Sequence, residues 1–113
     1  MNLYGIKNCD TVKKARQWLD AHDVAYEFHD LKVAAPGKTR LQYWCDAVGW
    51  ETLLNRRGLT WRQLDDSDKQ NVDAGQAVQL MQTHPTLIKR PVIEYDKAVL
   101  VGFNEAHYQQ HFG

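Results

Sequence analysis

The sequence contains two cysteines that could act as nucleophiles, and Cys9 is the better placed of the two to react. It follows a short predicted strand at residues 2–6 and precedes a stretch of helical periodicity, which predicts a position at a helix N-terminus. Unpaired N–H groups and the positive end of the helix dipole stabilise an anion there, and so favour the nucleophilic thiolate. The flanking Lys7, Asn8 and Asp10 are polar, which argues against a buried structural cysteine, although the negative Asp10 opposes the thiolate. We therefore predict that Cys9 is the catalytic nucleophile.

Cys45 receives the opposite interpretation. It lies on the apolar side of a predicted helix together with Leu41, Trp44 and Val48, a pattern typical of a core thiol. Neither cysteine belongs to a dithiol motif, because Val12 occupies the place of a second cysteine after Cys9. A mechanism based on a single thiol needs an external thiol to resolve its mixed disulfide.

Arginines supply the candidate anion site. Arg90 precedes Pro91 at the start of a predicted strand, and a guanidinium binds planar anions as a fork. The alternative is a solvated charge at the end of a strand. Arg56 and Arg57, in a basic turn, are open to the same two interpretations. Together with Asn8 and Pro91, these arginines are the predicted substrate- or anion-binding residues.

The first third of the chain has the pattern of a strand, a helix and a second strand. Residues 2–6 are predicted to form a short strand, a helix capped by Asp10 or Thr11 follows to about Asp23, and residues 25–31 form the next strand. A strand, helix and strand within about 30 residues favour a parallel, right-handed crossover.

The middle of the chain is predicted to be helical. A first helix is capped by Thr39 and stopped by Gly49, and a short helix covers residues 50–54. Residues 60–63 fit a capping box, and Asp73 with Gln76 fits another, whose helix ends at His84-Pro85.

The last third changes to the period of strands. Residues 91–95 and 98–103 are apolar and β-branched with two residues between them, which predicts an antiparallel hairpin. Asn104 then caps a helix to about Phe112. The order β-α-β, helical insert, β-β-α predicts an α/β, thioredoxin-like fold with a mixed sheet. We expect one domain over residues 1–113, with the insertion at about residues 36–85.

Composition excludes several other classes of protein. Lys and Arg together number 14, as do Asp and Glu, so a net charge of zero gives no reason to expect nucleic-acid or membrane binding. His107 and His111 have a spacing that can hold a metal, but a solvated terminal helix is favoured, so we predict no metal site. Without a signal-peptide layout or an apolar span, we expect a cytoplasmic protein, and a monomer.

Several separated motifs occur together in an order that resembles a known family. The chain is similar over nearly its whole length to the arsenate reductase-like (ArsC/Spx) family, and in particular to its YffB-type members. The motifs that carry the resemblance are residues 4–11, 13–16, 53–58, 60–61, 88–91 and 101–103.

The resemblance has implications for the site. It implies a thioredoxin fold with a helical insertion, Cys9 as the catalytic thiol, Arg90 as the anion-binding arginine and Pro91 as a cis proline. It also implies that arsenate reductases carry further arginines at the positions of Asn55 and Gly102. Spx-type regulators, which bind RNA polymerase, usually carry a CxxC switch, and this chain lacks it.

These observations favour a thiol–disulfide oxidoreductase, specifically a glutathione-dependent thiol reductase with one nucleophilic cysteine. Its partners would be glutathione as co-substrate and a thiol or disulfide substrate, and no cofactor would remain bound. Arsenate reductase is the first alternative. The second is a non-enzymatic regulator that docks on RNA polymerase.

Overall fold

The computed structural model describes residues 1–113, which form two compact units. The first comprises Met1–Asp30 and Arg90–Gly113, and the second comprises Leu31–Lys89. The second unit contains the helical insertion predicted at about residues 36–85 and extends a few residues further at each end.

The first unit contains a four-stranded mixed sheet. Its strands are β1 (Asn2–Gly5), β2 (Glu27–Asp30), β3 (Val92–Tyr95) and β4 (Ala98–Val101), in the order β2-β1-β3-β4. β1 pairs in parallel with β2 and antiparallel with β3, which forms an antiparallel hairpin with β4. The parallel crossover and the hairpin are both as predicted, and the fold is thioredoxin-like.

Seven α-helices accompany the sheet. They are α1 (Asp10–Ala21), α2 (Lys38–Val48), α3 (Trp50–Leu53), α4 (Leu59–Gln63), α5 (Asp66–Lys69), α6 (Ala74–Thr83) and α7 (Glu105–Phe112), with a 3-10 helix at Pro85–Leu87 before β3. The short α5 was not predicted, because four mostly charged residues carry no apolar periodicity. No helix has both the length and the apolar character that crossing a bilayer requires.

The core of the first unit lies between α1, α7 and one face of the sheet. The predicted apolar side of α1 is buried and packs against Leu3, Ile93 and Tyr108; its residues are Val12, Ala15, Trp18 and Leu19. β1 and α1 approach closely at Gly5, where an added Cβ would stand 2.9 Å from a methyl carbon of Val12. Burial of each large apolar side chain contributes about 1.5–3 kcal/mol, so this interface holds the start of α1 firmly against the sheet.

Three predicted helix caps are wrong. The N-cap residue is Cys9 for α1, Gly37 for α2 and Gly58 for α4, and none of these helices has a side-chain cap hydrogen bond. The hydroxyl expected to cap α4, that of Thr60, instead lies 2.7 Å from the hydroxyl of Thr86. A tertiary hydrogen bond has replaced the local one.

Two other predicted caps are confirmed. The Asp73 carboxylate accepts a hydrogen bond from the Gln76 amide at 2.8 Å, and the Asn104 side chain accepts one from the His107 amide at 3.1 Å. Both residues have extended backbone conformation, as an N-cap requires.

The second unit has a core of its own between α2 and α6. Leu41 and Trp44 of α2 are fully buried, as are Ala77 and Met81 of α6. α3 and the 3-10 helix pack against this pair, and α4 packs against the 3-10 helix. We therefore describe the two units separately, and the expectation of a single domain stays a prediction.

Candidate active site

Cys9 occupies the N-cap position of α1, one residue before the helix begins. Its backbone is extended (φ −121°, ψ 121°), and its carbonyl accepts the first helical hydrogen bond, from the Lys13 amide at 2.9 Å. The Cys9 side chain accepts no hydrogen bond from the amides of the first turn. Those unpaired amides and the positive end of the helix dipole lie at this end of α1, where a bound anion is favoured.

The thiol of Cys9 is partly buried and contacts the apolar core of its unit. Its neighbours Asn8 and Asp10 are exposed, so one side of the loop faces solvent. Packing thus fixes the position of the sulfur, and the loop side of Cys9 remains open to solvent.

The sheet register brings Arg90 and Pro91 to the edge of the sheet where β1 ends and the Cys9 loop begins, an edge formed by the row of strand ends and not by an outer strand. β1 and β3 run antiparallel with Tyr4 opposite Val92, so β3 starts where β1 ends. Pro91, buried, directly precedes β3, and its peptide bond with the partly buried Arg90 is cis, as the resemblance implied. Cys9, Asn8, Arg90 and Pro91 therefore belong to one unit and to one edge of its sheet.

Gly102 lies at the same edge and has a backbone that ordinary residues avoid. Its φ is +82°, and its amide donates to the Pro91 carbonyl at 2.8 Å. The Gly102 carbonyl accepts a hydrogen bond from the buried Tyr108 hydroxyl at 2.9 Å, which ties α7 to this edge. Burial raises the pKa of the Tyr108 hydroxyl, so it remains a donor. An arginine at position 102 would be strained by this backbone conformation.

Arg56 and Arg57 belong to the second unit, where Lys89 joins them around one pocket. Both arginines are exposed, and the guanidinium carbon of Arg56 lies 5.6 Å from the centre of the Trp50 ring. Lys89 was not singled out as a binding residue from the sequence. Its place directly before Arg90, inside one of the motifs that carry the resemblance, was the available signal.

Cys45 is only half-buried, so its prediction as a core thiol is wrong in degree. Leu41 and Trp44 face the core completely, whereas Cys45 lies at the margin of the same helical stripe. It lines a pocket together with Ala74 and Gly75, the residues at the start of α6. Burial, and secondarily the nearby Asp46 carboxylate, raises the pKa of the Cys45 thiol.

The two thiols are therefore expected to differ in reactivity. Under native conditions a small alkylating agent should modify Cys9 at least about 10-fold faster than Cys45, since the raised pKa of Cys45 lowers its thiolate fraction. Time-resolved alkylation with peptide mass spectrometry measures both rates in one sample. Unfolding in denaturant is the control, because it should bring the two rates together. Equal native rates, or faster labelling of Cys45, would contradict the site assignment.

Comparison with known proteins agrees with this geometry. The ArsC family model matches residues 4–111. The solved structure of the YffB protein is 48% identical, with a TM-score of 0.97, and the match covers 99% of this chain and 98% of that one. An arsenate reductase (ArsC) related protein from Brucella melitensis is 47% identical, with a TM-score of 0.77, over 98% of this chain and 92% of that one.

A more distant relative comes from a different functional class. The global transcriptional regulator Spx of Streptococcus mutans is 27% identical over 93% of this chain and 77% of its own length. The family match spans β1, the Cys9 loop, the insertion and α7. The chain thus belongs to the ArsC family and has the arsenate reductase-like, thioredoxin-type fold of a thiol oxidoreductase.

Proposed function

We propose that this protein is a glutathione-dependent thiol reductase in which Cys9 is the only cysteine that reacts. The observation that carries the proposal is the position of Cys9 at the N-cap of α1, at the positive end of the helix dipole. Both cysteines are free thiols, and Val12 is buried in the core where a dithiol motif would have its second cysteine.

Thiol–disulfide exchange at Cys9 accounts for the proposed reaction. With a glutathione mixed disulfide as substrate, the Cys9 thiolate attacks the glutathione sulfur, and the substrate leaves as a thiolate that takes up a proton. A second glutathione, as its thiolate, attacks the same glutathione sulfur in the Cys9 mixed disulfide. Glutathione disulfide is released and the Cys9 thiolate is regenerated. Each cycle releases the substrate as a thiol and consumes one reduced glutathione; the other half of the glutathione disulfide formed comes from the mixed disulfide itself.

Arg90 is the residue proposed to orient an anionic group of the substrate beside Cys9. It lies at the same edge of the sheet, and its Nε atom is shielded from solvent, which limits the motion of the guanidinium. A partly desolvated guanidinium binds a carboxylate more strongly than an exposed one does. Asn8, exposed in the same loop as Cys9, would offer its amide to the backbone of a bound peptide.

The proposal also places the protein in the reducing cytoplasm, where glutathione is abundant and thiols stay reduced. Because glutathione is a small diffusible co-substrate, a monomer suffices for the cycle.

A regulatory role is the second candidate, favoured by the similarity to the Spx regulator of Streptococcus mutans. A regulator of this kind would bind a partner protein without turning over a thiol substrate. Val12 stands where a CxxC switch would have its second cysteine, so the chain lacks the disulfide that such a motif forms.

The proposed function predicts one glutathione adduct at a defined position. Incubation with glutathione disulfide should add a single glutathionyl group to Cys9, and excess glutathione should remove it. Intact-protein and peptide mass spectrometry locate the adduct, and Cys45→Ala is the matched control, which should form the same adduct. An adduct on Cys45 alone, a Cys9–Cys45 bridge, or no adduct on the native protein would refute the proposal.

A further inference from the structure

A pocket in the second unit gathers charges of both signs. It has a volume of about 300 Å³ and is lined by Glu51, Leu54, Arg56, Arg57 and Lys89. Three of these five residues are cations and one is a carboxylate. In a chain whose charges balance overall, this is a local excess of positive charge with a single acid in it.

The charges around this pocket do not neutralise one another. Arg56, Arg57 and Lys89 have no carboxylate within 4.0 Å, and Glu51 has no cationic partner within that distance. Here the carboxylate and the cations face one pocket while both remain available to a ligand.

Backbone hydrogen bonds hold the walls of the pocket in place. An antiparallel bridge joins Leu54 to Ile88. On either side of it, the Asn55 amide donates to the Leu87 carbonyl at 2.7 Å, and the Lys89 amide donates to the Leu53 carbonyl at 2.8 Å. The segment with the arginines is thereby fixed against the segment with the lysine.

Two further contacts order the arginine turn itself. The Asn55 side chain accepts a hydrogen bond from the Arg57 amide at 3.0 Å, and the Arg56 guanidinium lies over the Trp50 ring. Contacts of this kind reduce the conformational entropy that a bound ligand would otherwise have to overcome. The charged groups are therefore partly ordered before any ligand arrives.

We propose that this pocket binds the zwitterionic head group of an α-amino acid. The ligand carboxylate would accept hydrogen bonds from the arginines and the lysine, and the adjacent ammonium would donate to the Glu51 carboxylate. A simple dianion such as phosphate fits less well, because Glu51 would repel it. The γ-glutamyl end of glutathione carries this head group, and so does a free amino acid such as glutamate. The assignment to glutathione rests on the proposed function.

The test uses S-methylglutathione, which cannot form a disulfide and so separates binding from chemistry at Cys9. Titrations followed by amide chemical shifts in NMR measure its affinity for the full-length protein. Glu51→Gln and Arg57→Ala should each weaken binding about 5-fold or more, a moderate effect because exposed charges are screened by solvent. Asp20→Asn and Arg62→Ala, which change exposed charges outside the pocket, are the matched controls and should leave the affinity unchanged.

An N-acetylated S-methylglutathione, which lacks the ammonium, makes the test specific for Glu51. Glu51→Gln should no longer weaken binding of this ligand, whereas Arg57→Ala should weaken it as before. Free glutamate forms the third arm. Affinity equal to that of S-methylglutathione would identify a free amino acid as the source of the head group, and much weaker affinity would identify glutathione.

The outcomes separate this inference from the proposed function. If glutathione forms the Cys9 adduct but both pocket variants bind S-methylglutathione like the wild type, the pocket assignment is wrong and the reductase stands. If the variants behave as expected and no Cys9 adduct forms, the reductase is wrong and the pocket stands. Equal wild-type affinity for the N-acetylated and parent ligands would also overturn the assignment.

Discussion

Replacing Cys9 by serine is expected to reduce glutathione-dependent thiol–disulfide exchange by at least about 10³-fold, since a neutral hydroxyl does not attack disulfide sulfur at useful rates. The fold should be retained, because the side chain is small, only partly buried and makes no cap hydrogen bond. A coupled assay that follows glutathione disulfide formation measures the loss, and circular dichroism confirms the fold.

Cys45→Ala supplies the comparison for that result. The half-buried Cys45 has a raised pKa and lies on a helix of the second unit, so this variant should turn over substrate at the wild-type rate. Its cost should appear in thermal stability instead. Exchange activity that persists in Cys9→Ser and is lost in Cys45→Ala would reverse the assignment of the nucleophile.

Arsenate turnover by the wild-type protein is expected to stay at or near background. Arsenate is a compact, multiply charged anion, and holding it beside a thiolate requires several charge-assisted donors. This chain offers Arg90 but has Asn55 and Gly102 at the two positions where the resemblance implies further arginines in arsenate reductases. Each lost contact to a charged group costs about 1.5–3 kcal/mol, so two losses weaken transition-state binding by roughly 10²–10⁴-fold.

The structure gives reasons why neither position readily accepts an arginine. An arginine at position 55 would lose the hydrogen bond that the Asn55 side-chain oxygen accepts from the Arg57 amide, and this side chain lies so close to Gly58 that an added Cβ there would stand 2.8 Å from Asn55 Nδ2. Gly102 has a positive φ that a side chain would strain. Arsenite production measured with glutathione present tests the expectation, with a glutathione mixed disulfide as the positive control. Robust arsenate reduction by the wild type would defeat it.

Hydrophobic periodicity predicts much of this fold because the buried faces are regular. The buried side of α1 and the antiparallel hairpin of β3 and β4 follow directly from periods of 3.6 and 2. Caps are less predictable, since Thr60 exchanges a local hydrogen bond for one with Thr86, 26 residues away. Local preference competes with tertiary contacts that a linear pattern does not contain.

The candidate site also combines features that follow from local sequence with features that depend on tertiary contacts. Cys9 is predictable because its helix-start position and polar neighbours are local features of the sequence. The proximity of Arg90 to the same sheet edge depends on the pairing of β1 with β3, which joins residues far apart in the chain. The pocket around Glu51 and Lys89 is the hardest feature to predict from the sequence, because its two segments are joined by a single isolated bridge between Leu54 and Ile88.

The first unit is discontinuous in the chain, and this bears on the order in which a nascent polypeptide can mature. The continuous segment Leu31–Lys89 can fold once it has left the ribosome. β1, in contrast, pairs with β3, which is synthesised only after that segment. Until then β1 has an unpaired edge, and Cys9 has no Arg90–Pro91 segment beside it. Cys9 is thus synthesised early and Arg90 near the end, so a prematurely terminated chain carries the thiol without the Arg90–Pro91 segment.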